Sequence, residues 1–152
     1  MGLSETNLLL PADGAGIVLR LGLAIFAGAL IGWEREAAEK PAGLRTHMLV
    51  SFGSAMFVLT SIQTGAVEQS ADVLSRVMQG VIAGIGFLGA GEIFSTTRSD
   101  SDQIRVKGLT SAAAIWVSAS LGVVMGCGLW QLGLLGAGMT FLILWGVKKF
   151  ER

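Results

Sequence analysis

Three carboxylates, Glu34, Glu36 and Glu92, are the side chains of this sequence best suited to binding a cation. Each stands at or just beyond the end of a long apolar segment. Mg²⁺ is a hard cation that takes oxygen ligands, commonly one or two carboxylates together with retained waters. The three carboxylates therefore form a candidate cation site, with Mg²⁺ as the candidate cofactor.

Basic and hydroxyl side chains crowd the same segment ends and offer a second interpretation. Arginine–carboxylate pairs satisfy both charges without any metal. The charge chemistry leaves both interpretations open and favours an ion-pair network over a cation site. His47 is the single histidine and makes no metal site by itself, so we expect it to bond to a neighbour. The predicted inner polar network consists of Arg35, Lys40, Arg45, Thr46, His47, Lys107 and Thr110.

A smaller set of charges, Arg20, Asp72 and Arg76, lies near the opposite ends of the apolar segments. Asp72 and Arg76 are four residues apart, the spacing at which an acid and a base meet on one helix face. Arginines near the end of a membrane helix also extend to the interface by themselves. Interfacial arginines and a buried polar contact between the first and third segments both remain open.

Enzymatic activity is not expected from this sequence. Its serines have no base placed beside them by a recognisable pattern, and no phosphate-binding loop or zinc pattern occurs. The segment GIGFLG (84–89) matches the dinucleotide-binding pattern, but it lies inside an apolar segment without the strand and helix that this pattern requires. We predict no catalytic residues.

Composition indicates a membrane protein. Of the 152 residues, 52% are hydrophobic and 14% are charged, with 11 basic and 11 acidic residues. This hydrophobicity excludes a disordered chain, and the balanced charge lacks the basic excess typical of nucleic-acid binding. Cys127 is the single cysteine, which excludes a disulfide-rich fold.

Five apolar segments have the length that crosses a hydrocarbon core of about 30 Å. Nine of the eleven Lys and Arg residues follow the first, third and fifth segments, which predicts an N-terminus outside and a cytoplasmic C-terminus. The sequence predicts an all-α, polytopic membrane protein with five transmembrane helices in a single domain, residues 1–152. The predicted spans are about 15–33, 44–63, 73–94, 108–128 and 130–147.

Glycine spacing predicts where helices approach one another closely. Small residues let helix backbones come together in lipid. The fourth segment carries small residues along much of its surface, so we expect it to be the most enclosed. Packing inside one bundle is the favoured interpretation, and a dimer interface is the alternative. The predicted packing residues are Gly28, Gly32, Gly80, Gly84, Gly86, Gly89, Gly91, Gly122 and Gly126.

Three long motifs carry a resemblance to a known family. They are GWEREAAEKPAGLRTHMLVSFGSAMF (32–57), GIGFLGAGEI (84–93) and VKGLTSAAAIWVSASLGVVMGCG (106–128). In this order they resemble the MgtC/SapB family of bacterial inner-membrane proteins, in a short form without the C-terminal soluble domain of some members. The resemblance implies five spans with the N-terminus outside, and it places the family motif on Glu34, Arg35, Glu36 and the residues around Arg45 and Lys107.

Two functional hypotheses follow from the resemblance. The first is a cation (Mg²⁺) transporter or channel that acts as a homo-oligomer, with a dimer favoured, and it requires a carboxylate in a wet cavity. The second is a non-transporting regulator of Mg²⁺ homeostasis that binds another membrane protein, such as a transporter or ATP synthase. It requires a paired inner layer and an exposed small-residue helix face. Both imply the bacterial cytoplasmic membrane, a lipid bilayer environment and no nucleic-acid partner.

Overall fold

The computed structural model describes residues 11–70, 72–95 and 107–147, without the side chains of residues 94 and 95. Every regular element in these ranges is a helix, which confirms the all-α prediction. The last helix widens in its final turns into a π-helix at Ile143–Val147. The elements are α1 Gly14–Ala37, α2 Leu44–Gln63, α3 Ala66–Gln69, α4 Asp72–Ser95, α5 Leu109–Gly126 and α6 Trp130–Leu142.

Four helices are long and apolar enough to cross a membrane: α1, α4, α5, and α6 together with its π-helical extension. The chain is therefore a multi-pass membrane protein. Large apolar side chains cover its lipid-facing surface, and Trp33, Trp130 and Trp145 are exposed close to helix ends. Tryptophan favours the interface between lipid and water, so these positions suit the rims of a membrane domain.

Helix α2 differs from the other long helices in composition. It was predicted as a span and has the required 20 residues, but it falls outside the set apolar enough to cross. Three of its serines turn inward: Ser51, Ser54 and Ser61 are buried. Each of these hydroxyls donates to a backbone carbonyl, and Ser51 reaches Ala24 of α1 at 2.7 Å. A fifth span, and hence the predicted topology, stays a prediction.

Helix α5 occupies the centre of the bundle. It packs against α1, α2, α4 and α6, and it has the largest buried share of the four candidate spans. Its buried side includes Ala114, Ser118, Ala119 and Gly122. Small residues allow four neighbours to pack around one helix because each backbone can come close.

Glycines bring α2 into backbone contact with both α1 and α5. A Cβ built on Gly28 would lie 2.5 Å from the His47 carbonyl oxygen. A Cβ on Gly122 of α5 would overlap the carbonyl oxygen of Ser51. Gly32 approaches Leu44 in the same way, and Gly126 approaches Ala55. The glycines of α1 and α5 thus hold α2 by its main chain along most of its length.

The glycines of α4 behave differently. A Cβ added at Gly80, Gly84, Gly86 or Gly91 would meet no atom of the described residues within 4 Å, and one at Gly89 would make only an ordinary 3.5 Å contact with Ala112. The predicted packing role within one bundle is therefore wrong at those four positions. The reason is that α4 lies at the edge of the bundle, where it packs mainly against α5 and turns its other side away.

Replacing Gly122 with alanine should destabilise the protein markedly. The new methyl group would have to displace the Ser51 carbonyl, a backbone atom with no freedom to rotate away. Overpacking of this kind costs about 1–3 kcal/mol. Thermal unfolding in detergent can be followed with a thiol-reactive dye, because the single cysteine, Cys127, is buried.

Gly53→Ala is the matched control on α2, since a Cβ there meets nothing in the described part of the chain within 4 Å. It should melt at or slightly above the wild-type temperature because alanine favours the helix. Equal melting of the two variants would contradict the close approach at Gly122.

Candidate functional site

A buried ion pair lies at the C-terminal end of α1. Arg35 approaches Glu34, with 3.7 Å between Nη1 and Oε2, and the two side chains are only 4% and 6% exposed. The other terminal nitrogen of Arg35 donates to the Ser111 hydroxyl at 2.9 Å. This hydrogen bond joins the end of α1 to the first turn of α5. Glu92 of α4 adds a favourable charge interaction with Arg35.

The pair is held only in part by hydrogen bonds. Nε of Arg35 and Oε2 of Glu34 are buried and form no hydrogen bond with the described part of the chain. A buried charge needs a partner because its hydration has been removed. Each of these two groups therefore depends strongly on the other, and the loss of either would leave an uncompensated charge.

His47 lies fully buried in the first turns of α2. Its Nδ1 is 2.8 Å from the carbonyl oxygen of Gly43. A carbonyl only accepts, so Nδ1 carries the proton and donates, and Nε2 of the neutral ring is an acceptor. Nε2 has no hydrogen-bond partner within the described ranges. The ring thus bonds to a neighbouring loop carbonyl, and it does so beside the close contact of Gly28 with the His47 main chain.

Glu36 caps the start of α2. Its Oε2 accepts a hydrogen bond from the backbone N–H of Leu44 at 2.9 Å. The first N–H groups of a helix have no partner inside the helix, and the residue at the cap position, Gly43, has no side chain to supply one. Gly43 also leaves room for the carboxylate, because a Cβ there would lie 3.0 Å from Oε2.

The three candidate carboxylates do not come together as a metal site. Glu34 pairs with Arg35 and Glu36 caps α2. Among the described residues, no group of three or more His, Cys, Asp or Glu side chains is arranged to hold an ion. Glu34, Glu36 and Glu92 therefore do not form a shared site within the described part of the chain. Charges that lie close in the sequence have separate structural partners.

The predicted inner polar network is also smaller than expected. Lys40, Arg45, Lys107 and Thr110 are exposed, and Thr46 is only partly buried. None of the three basic residues forms an ion pair with the described part of the chain. The buried network reduces to Arg35 with Glu34 and Ser111, with His47 bonded separately. Sequence analysis missed Ser111, whose only signal is a small hydroxyl in the first turn of the most enclosed helix.

Arg20, Asp72 and Arg76 do not form the predicted polar contact between the first and third spans. Arg20 donates to the carbonyl oxygen of Gly126 at 3.2 Å, so it bridges α1 to α5 and supplies a cation at the C-terminal end of α5. Asp72 and Arg76 are both exposed on α4 and form no ion pair with each other. The first and third predicted spans are not joined through Asp72 and Arg76.

Membrane-spanning helices packed through glycine, with a buried arginine–glutamate pair at one helix end, define a polytopic helical membrane protein. Comparison with known proteins refines this class. The profile of the MgtC family matches residues 21–152. The chain belongs to the MgtC family.

Relatives cover most of this chain. It is 49% identical to SrpB of Synechococcus elongatus over 144 residues, which are 92% of this chain and 79% of SrpB. It is 42% identical over 134 residues to the Escherichia coli K12 protein named "Putative magnesium transporter YhiD". It is 41% identical over 127 residues to MgtC of Salmonella typhimurium. The chain spans 60% of YhiD and 49% of MgtC. No solved structure matches it.

Replacing Arg35 with alanine should destabilise the protein strongly. The change leaves Glu34 buried without its partner and removes the hydrogen bond to Ser111. Breaking a buried pair by removing one member costs about 3–5 kcal/mol. Thermal melting in detergent measures the loss.

Arg45→Ala is the matched control, because Arg45 is an exposed arginine at the start of the neighbouring helix. It should melt like the wild type. The double variant Glu34→Gln, Arg35→Met should recover part of the stability lost in Arg35→Ala, because no unpaired charge remains. A wild-type melting temperature for Arg35→Ala would show that the pair is not buried.

Proposed function

We propose that this protein is a regulator in the bacterial cytoplasmic membrane, that it serves Mg²⁺ homeostasis, and that it acts by binding another membrane protein without conducting ions. The observation that supports this most directly is the engagement of the candidate carboxylates. Glu34 is committed to Arg35, and Glu36 is committed to the start of α2. A cation pathway would need carboxylates that are free to exchange ligands.

The surroundings of Glu34 also disfavour a passing cation. Arg35 already supplies the positive charge, and it is fixed to Ser111 across the bundle. A divalent ion that bound to Glu34 would have to displace the guanidinium or lie beside it. Either arrangement brings like charges together in a medium of low dielectric, where the repulsion is only weakly screened.

Two grooves of the described surface do not lead to these carboxylates. One groove of about 190 Å³ lies between α4 and α5 and is lined by apolar residues such as Val81, Ile85 and Val123. Another lies between α1 and α2, with Ile17, Met56 and Leu59 in its wall. Neither includes Glu34, Glu36 or Glu92 in its lining. The transport hypothesis required a carboxylate in a wet cavity.

The link to Mg²⁺ rests on the relatives, whose names include a magnesium transporter. That name also supports the second candidate, a Mg²⁺ transporter or channel. Five helices of this size enclose no obvious path alone, so transport would run between copies in a homo-oligomer. A regulator would instead contact a larger membrane protein, for which a transporter or the F-type ATP synthase are candidates.

A flux measurement separates the two functions. Purified protein in liposomes containing a Mg²⁺-sensitive dye should give no Mg²⁺ entry above that of empty liposomes. A Mg²⁺ ionophore added at the end shows that the dye responds, and protease-resistant, monodisperse protein shows that the chain is folded.

Glu34→Gln and Glu92→Gln are prepared alongside. Mg²⁺ entry that depends on the wild-type protein and disappears in either variant would refute the regulatory proposal and place these carboxylates on a pathway. A wild-type signal equal to that of empty liposomes is the result that the regulatory proposal expects.

A further inference from the structure

The single histidine of the chain, His47, is fully buried near the start of α2. Histidine is the side chain that ordinarily gains or loses a proton between about pH 5 and about pH 8. Both its ring and its main chain bond to the Gly43 carbonyl oxygen, Nδ1 at 2.8 Å and the backbone N–H at 3.3 Å. The ring is therefore held in one orientation, and Nε2 is the nitrogen left to take up a proton.

Ser118 of α5 lies at the same level of the bundle as His47. The glycine contacts between the two helices run α5 parallel to α2, with Gly122 beside Ser51. One helical turn earlier on both helices brings Ser118 to the level of His47. The Ser118 hydroxyl is fully buried, and like Nε2 it has no hydrogen-bond partner within the described ranges. The contact between α2 and α5 therefore contains two unused polar groups at one level.

Charges on α1 act on the ring of His47. Burial opposes a positive charge there most strongly, because the hydration of the charge is lost. The Gly43 carbonyl favours a charge, Arg35 opposes it, and Glu34 favours it. Helix α5 carries no charged residue, and Glu92 of α4 acts on Arg35. A proton on Nε2 therefore adds a second cation near the Arg35 guanidinium, in a place that water does not reach.

We propose that His47 is an acid-operated switch on the contact of α2 with α1 and α5. A proton taken up from water at Nε2 makes this nitrogen a donor, for which Ser118 offers its hydroxyl oxygen. The new charge gains hydration only if α1 and α2 move apart, because Gly28 lies directly against the His47 main chain. Acid thereby loosens the end of the bundle that holds the Arg35 ion pair.

The single histidine allows this proton to be followed directly. Protein labelled with nitrogen-15 at histidine, and purified through a tag that contains no histidine, gives imidazole signals from His47 alone. We expect the tautomer with its proton on Nδ1 at about pH 7.5, and a doubly protonated ring as the pH falls to about 5.5. A proton on Nε2 at the higher pH, or a ring that stays neutral at the lower pH, would overturn the proposal.

Melting temperatures in detergent show whether the proton loosens the bundle. The unfolded chain exposes an ordinary histidine, which gains its proton near pH 6.5, about its reference value, whereas the folded chain has to bury the charge. Stability is therefore full above this pH and falls as the pH drops below it. Between about pH 7.5 and about pH 5.5, the wild type should lose several degrees more than His47→Gln. Glutamine retains an N–H for the Gly43 carbonyl but takes up no proton.

Ser118→Ala is a second variant, which keeps the histidine and removes the acceptor for a protonated Nε2. It should melt close to the wild type at the higher pH, because the hydroxyl has no partner in the described part of the chain. At the lower pH it should lose more than the wild type. This comparison and the nitrogen-15 titration decide the matter even if His47→Gln does not fold.

Equal losses on acidification in the wild type and His47→Gln contradict the switch, and so does a loss in Ser118→Ala no larger than that of the wild type. The switch is a property of the bundle and does not rest on the proposed regulatory function. Mg²⁺ entry into liposomes leaves the histidine signals and the melting temperatures unchanged, so each proposal can fail without the other.

Discussion

The close approach of α2 to its two neighbours is the constraint on which the rest of the structure depends. Gly28 of α1 and Gly122 of α5 meet the main chain of α2 directly. In lipid, helices gain little from burying apolar side chains against one another, so close van der Waals packing and hydrogen bonds from side chains to a neighbouring helix must hold them. Ser51 uses this proximity when it donates to Ala24 of α1. The side of α2 that packs in the bundle thereby has its serine hydroxyls bonded, while Leu49 and Phe57 are exposed on the other side.

The same proximity explains how the chain keeps a buried ion pair. With α1 and α5 fixed against α2, the end of α1 and the start of α5 come close enough for Arg35 to reach Ser111. Glu34 then lies beside a guanidinium whose position is already set. Buried pairs are weak evidence of stability in themselves, but here the pair depends on correct packing of helices distant in sequence. It therefore favours one arrangement of the bundle over others.

Periodicity, length and composition predicted the helices and the membrane environment, because a long apolar segment has few other structures open to it. The enclosed position of α5 followed from its small residues. These signals do not say which side of a helix faces a neighbouring helix and which side is exposed. Gly84 and Gly122 each belong to a G-x-x-x-G pair, yet a Cβ on the first meets no described atom within 4 Å and one on the second meets a carbonyl. Arg35 and Arg45 both stand at helix ends, and only the tertiary arrangement buries one and exposes the other.

Two hydrogen bonds at the C-terminal end of α1 differ greatly in the number of residues that separate the donor from the acceptor. The bond from Leu44 to Glu36 spans eight residues, whereas the bond from Arg35 to Ser111 spans 76. A ribosome adds about 5–20 residues per second, so roughly 4 to 15 seconds of synthesis separate Arg35 from its hydroxyl. The contact that Glu36 makes with the start of α2 uses only residues of the α1–α2 hairpin, whereas Arg35 finds its hydroxyl partner only once α5 has been synthesised.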